Sequence, residues 1–105
     1  MKPTYTFEPK NRYVSQGVHS TFTFELQIKL WNMIDELKKE KTLDYLQVFE
    51  IKVEDNTVTI THSQEVPPYK KEHTFRTKKV PNGSEYKVFC IDDITHSTMI
   101  LAPEY

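Results

Sequence analysis

A chain of 105 residues with a net charge of −1 fits one domain, and its charge gives no global field that would select nucleic acid or an anionic surface. Hydrophobic residues at 37% and charged residues at 28% exclude a disordered composition. No apolar run reaches the ~18 residues of a helical membrane span.

The first eleven residues, MKPTYTFEPKN, contain two prolines and no apolar h-region. They read as an N-terminal arm rather than a secretory signal, pinned by Tyr5 and Phe7. The domain is expected over 12–105. A short strand follows from Arg12 to Gln16, ending at Gly17, where a positive φ is expected.

Residues 24–40 form the one strong helix. Leu26, Leu30, Trp31, Ile34 and Leu37 recur at helical spacing and make an apolar stripe. Thr23 is the expected N-cap, and Glu25 sits in the first turn, where the helix end is positive. Glu25–Lys29 and Asp35–Lys39 have the i,i+4 spacing of helix ion pairs.

Strands come next. Phe49-Ile51-Val53 and Val58-Ile60 alternate with polar residues at a period of two. Segments 45–54 and 57–64 read as a hairpin turning at Asp55-Asn56, residues that tolerate left-handed conformations. Pro67-Pro68 closes the second strand, because proline donates nothing to a ladder. Further strands are expected over 70–77, 85–91 and 97–102, with turns at Val80-Pro81-Asn82-Gly83 and Asp92–Thr95. The helix stripe is expected to pack on Phe49, Ile51, Val58, Ile60, Phe89 and Ile91. The fold class is therefore α+β: one amphipathic helix packed on a mostly antiparallel sheet of about five strands.

The single cysteine, Cys90, forms no internal disulfide, which points to a reducing, cytoplasmic setting. It lies in an apolar strand without local cations and reads as inert packing.

Charge is unevenly spread. Lys70, Lys71, Arg76, Lys78 and Lys79 face only Glu72 over 66–80, whereas 81–105 is acidic. Two readings stand: pairing between neighbouring strands, or a basic strip for an acidic partner. With Tyr69 and Phe75 the strip has the composition of a single-strand binder. The acidic total and the lack of an aromatic RNA-binding signature weigh against nucleic acid.

Two polar clusters lie where strands end. One is His62, Gln64 and Glu65 with Tyr69; the other is Asp92, Asp93 and His96. Their types suit general acid–base work or metal ligation. On a strand, however, His62 and Glu65 point to opposite faces, and Asp-Asp-x-x-His also describes a polar turn. There is no paired metal-ligand spacing, no phosphate loop and no nucleophile elbow. No cofactor or metal is assigned. In an antiparallel meander of 57–64, 70–77 and 85–91 both clusters would share one rim, with His62 near Asp93 as a pH-sensitive pair.

Several words taken together carry a resemblance: Arg12-Tyr13-Val14 with Gly17-Val18, Glu25-Leu26-Gln27 leading to Leu30-Trp31, Asp44–Glu50, His62–Glu65 with Pro68-Tyr69, Ile91-Asp92-Asp93, Ser97-Thr98-Met99 and Glu104-Tyr105. The set resembles the DUF960 family (a domain of unknown function), small proteins of low-GC Gram-positive bacteria, over residues 12–105. The resemblance implies a cytoplasmic bacterial protein and transfers no activity, ligand or catalytic residue.

The sequence names no reaction. It favours a protein-binding or regulatory module, monomeric or weakly dimeric. The alternative is a small hydrolase or metal-dependent enzyme using His62/Glu65 and Asp93/His96.

Overall fold

The computed structural model describes residues 4–77 and 83–105. Lys78, Lys79 and the expected turn residues Val80-Pro81-Asn82 lie outside them. Within them the chain forms β1 (Arg12–Val14), α1 (Gln16–Thr21), α2 (Phe24–Glu40), β2 (Leu46–Glu54), β3 (Thr57–Gln64), β4 (Tyr69–Arg76), β5 (Glu85–Asp92) and β6 (Ser97–Leu101). Short 3-10 turns lie at Pro9–Asn11 and Ala102–Glu104. The fold is α+β, with one main helix on a six-stranded, mostly antiparallel sheet. No described helix is long and apolar enough to cross a membrane.

α2 matches its sequence signals. The Thr23 hydroxyl accepts from Leu26 N–H at 3.2 Å and caps the helix. The stripe residues Leu26, Leu30, Trp31, Ile34 and Leu37 are all buried. Among the described residues, Asp35 and Lys39 find partners other than each other. Asp35 takes both ends of the Arg12 guanidinium, which also lies over Trp31. Lys39 meets Glu36 at 3.1 Å, and Lys29 sits over the Phe75 ring.

The sheet order is β1-β6-β5-β2-β3-β4. β2 and β3 form the expected hairpin, with Asp55 and Asn56 at φ 50° and 60°, the left-handed pair of a tight two-residue turn. The expected meander stops at β4. β5 crosses over and pairs with β2 on its other side, with Phe49 opposite Val88. That register corrects the core. Residues directly opposite share a face, so Val88 and Cys90 join Phe49 under α2, and Phe89 and Ile91 turn to the far face. There Phe89 meets Tyr105 edge-on at 5.4 Å. Cys90 is fully buried, and burial pushes its thiol pKa up, so it packs as an apolar group.

Two features were not expected. The expected first strand, β1, pairs in parallel with β6 and brings the sheet to six strands. Gly17 lies inside helix α1, and Gly83 is the described glycine with positive φ. Gly17 answers a close approach instead: a Cβ there would lie 2.6 Å from Glu104 Oε2. The described part of the N-terminal arm is pinned as expected. Tyr5 bridges Leu43, and Phe7 is fully buried.

Candidate functional site

β3 and β5 both run antiparallel to β2, which lies between them. Their C-terminal ends therefore fall on one rim of the sheet. The clusters His62–Glu65 and Asp92–His96 share that rim, with β2 as the intervening strand in place of the expected β4.

The side chains divide into an inner and an outer set. His62 continues the buried face of Val58 and Ile60 and has no exposure. Its ring stacks on Phe49 at 4.5 Å, and Tyr69 meets it edge-on at 5.4 Å. Gln47 fixes its tautomer. The Gln47 amide nitrogen donates to the Asp44 carbonyl and to Gln64 Oε1, so Gln47 Oε1 must accept from His62 Nε2–H at 2.6 Å. Among the described residues His62 Nδ1 has no hydrogen-bond partner. Burial, aided by nearby His73, lowers the His62 pKa to about 3 and keeps the ring neutral. Asp93 does not touch it, so the expected His62–Asp93 pair is not formed.

Gln64 is a staple. Its oxygen accepts from Asp44 N–H at 2.9 Å, and its nitrogen donates to the carbonyls of Thr42 and Pro67. Tyr69 is half-buried, and burial, then Glu40, raises its pKa. Asp92 is buried and joins two segments. One oxygen accepts from Thr6 and Phe7 N–H, each at 3.0 Å, and the other from Ile94 N–H at 2.9 Å.

Glu65, Asp93 and His96 are exposed. Asp93 Oδ1 accepts from the N–H groups of His96 and Thr95 and from the Thr95 hydroxyl. The His96 backbone bond, then the Thr95 hydroxyl, lower its pKa. His96 Nδ1 lies 3.3 Å from Asp93, and the ring meets Tyr13 edge-on at 5.6 Å. His62 is thus sealed inside while Glu65, Asp93 and His96 lie outside, so the four present no common surface. Among the described residues no three His, Cys, Asp or Glu side chains cluster for a metal ion.

The rim carries residues that the polar clusters did not single out. Tyr45, Val66 and Ile94 project from its three loops at 43%, 67% and 57% exposure, and Tyr13 stands beside them at 58%. Each of the loop residues follows an acid: Asp44-Tyr45, Glu65-Val66, Asp93-Ile94. Each also has its own N–H tied to an aspartate. Asp44 accepts from Tyr45 at 2.8 Å and Val66 at 3.0 Å, and Asp92 from Ile94. Ile94 is held at φ 83°, a conformation β-branched residues avoid. An acid followed by an apolar residue at three turns was the signal in the sequence.

Residues 11–104 match the family described as a staphylococcal protein of unknown function, DUF960. The chain belongs to the DUF960 family. A protein of unknown function from Enterococcus faecalis has a similar crystal structure, with a TM-score of 0.78 at 28% identity over 94% of each chain. No curated protein matches.

Elsewhere on this DUF960 fold, the open sheet face holds a hollow of about 510 Å³ lined by Glu50, Lys52, Thr59, Thr61, Glu72 and Lys87 among others. Its charges are largely matched. Lys52 lies 3.4 Å from Glu54 and 3.8 Å from Glu85, and Glu50 stands opposite Lys87. On β4, Tyr69 and Phe75 pack toward the core whereas Lys70 and Arg76 pair with positions on the open face. Lys71, opposite His62, shares the face of Tyr69 and Phe75, so the basic residues of that strand divide between its two faces.

Proposed function

We propose that this protein is a binding module that engages another protein through the loop rim of its sheet. One observation carries the reading: Tyr45, Val66 and Ile94 are displayed on adjoining loops with their backbone N–H groups tied to aspartate carboxylates. These bonds close the turns and hold the backbone that carries the three apolar side chains. Rigid apolar anchors lose little entropy on docking and become the buried centre of an interface. Exposed Glu65, Asp93 and His96 would form its polar rim.

The test is affinity capture from a native lysate with the wild-type chain and a Val66→Asp/Ile94→Asp variant. Both positions are exposed, so the variant folds. A protein retained by the wild type and lost by the variant supports the reading. Identical captures, or no specific capture, would remove it.

A further inference from the structure

The rim is not the one feature that invites a partner. β4 ends the sheet, and among the described residues no strand lies outside it. The other edge strand, β1, has three residues, whereas β4 has eight. Which backbone groups of β4 are open follows from the hairpin. Across a two-residue turn the flanking residues, here Glu54 and Thr57, exchange hydrogen bonds. Alternation then turns the N–H and C=O groups of Thr57, Thr59 and Thr61 toward β2, and those of Val58, Ile60 and His62 toward β4. Their partners are Phe75, His73 and Lys71. Thr77 N–H, bonded to the Asn56 carbonyl at 2.8 Å, keeps the same phase. The backbone groups of Lys70, Glu72, Thr74 and Arg76 therefore point away from the sheet.

Two further observations describe what would fit there. Lys70, Lys71 and Arg76 outweigh Glu72 on β4. Two cationic edges repel each other, which disfavours self-pairing, and attract an acidic strand. Beside the end of β4, a pocket of about 170 Å³ opens between the strand and α2. Leu26 and Phe75 give it an apolar floor, Lys29 adds positive charge, and Glu25 flanks it on the helix side. A strand laid on β4 would direct alternate side chains toward α2, where this pocket lies.

We propose that β4 accepts an extended, acidic peptide segment as a seventh strand, with one apolar side chain of that segment seated in the pocket between β4 and α2. Main-chain bonds to Lys70, Glu72, Thr74 and Arg76 supply affinity, and the cations and the pocket select the sequence. This surface is independent of the loop rim.

The experiment uses the ¹⁵N-labelled chain and two defined probes. One is an extended peptide alternating Glu and Val around a single Leu; the other has Lys at every Glu position. The acidic peptide should shift the amides of Lys70, Glu72, Thr74 and Arg76, slow their exchange with solvent, and bind more weakly as salt rises. The lysine peptide should not bind. Thr74→Pro removes an outward N–H that the internal ladder does not use, so the sheet persists and affinity falls about tenfold. Lys70→Glu/Lys71→Glu, which leaves the backbone intact, should lower it by about the same factor. Equal binding of both peptides, no binding of either, shifts confined to the rim or the open face, or wild-type affinity in the Lys70→Glu/Lys71→Glu variant would each overturn the proposal.

Discussion

Asp44 and Val66 stand 22 positions apart, yet the Asp44 carboxylate accepts the Val66 N–H at 3.0 Å. Its other oxygen accepts from Tyr45 at 2.8 Å, so one side chain fixes two displayed apolar residues. Asp44→Ala should cost about 1–2 kcal/mol, because exposed N–H groups recover some bonding from water. Hydrogen exchange at Tyr45 and Val66 should rise, while exchange in α2 stays unchanged. Unaltered exchange at Val66 would show that the loop holds its shape without Asp44.

Leu30 is fully buried on α2, at the centre of the stripe. Leu30→Ala should destabilise the chain by about 2–5 kcal/mol in urea unfolding, from lost burial and the cavity left behind. A loss within experimental error would contradict the packing of α2 on the sheet.

His62 makes stability depend on pH. Its folded pKa is lowered to about 3 from 6.5, first by burial and then by His73. Between those values the unfolded chain binds a proton that the folded chain refuses. Stability is therefore full above about pH 6.5 and falls as pH drops toward 3, by a few kcal/mol at pH 4. His73 is lowered too, by burial and Lys71, and acts in the same direction. His62→Gln should flatten the slope between pH 7 and pH 4. An unchanged slope would place the acid sensitivity elsewhere.

Gly17 and Glu104 form a separable pair. The Glu104 carboxylate accepts from the Ser15 hydroxyl at 2.6 Å, Leu101 N–H at 2.8 Å and Gly17 N–H at 3.2 Å. A Cβ at position 17 would displace the end of this side chain, not backbone. Gly17→Ala and Glu104→Ala should therefore be non-additive: once Glu104 is truncated, Gly17→Ala should be neutral or stabilising in thermal unfolding. Additive losses would mean that position 17 is restricted by something other than Glu104.

How much the sequence revealed depended on how strongly each segment committed to one face. α2 has one apolar stripe and a capping threonine, so its span and buried side were legible. The β2–β3 hairpin has clean alternation around Asp55-Asn56. β5 does not, because Val88, Phe89, Cys90 and Ile91 are all apolar. Only its register with β2 decides that Val88 and Cys90 face the helix. Helix α1 buries Val18 alone; Ser15 caps it locally, but Glu104, which holds Ser15 and Gly17, is distant in sequence. The parallel β1–β6 pair likewise joins opposite ends of the chain. At the rim, His62 and Gln64 were in phase with Val58 and Ile60, which already marked them as inward-facing. The apolar loop residues carried a weaker signal, since a single Val or Ile after an acid is ordinary until the fold sets three such loops side by side.

The most direct test of the central claim is photo-crosslinking in native cells from two positions. A crosslinker at position 94 lies on the rim; one at position 59 lies on the open sheet face. The rim reading predicts a discrete protein adduct from position 94 that is absent from position 59. Equal adducts from both positions, or none from position 94, would contradict it.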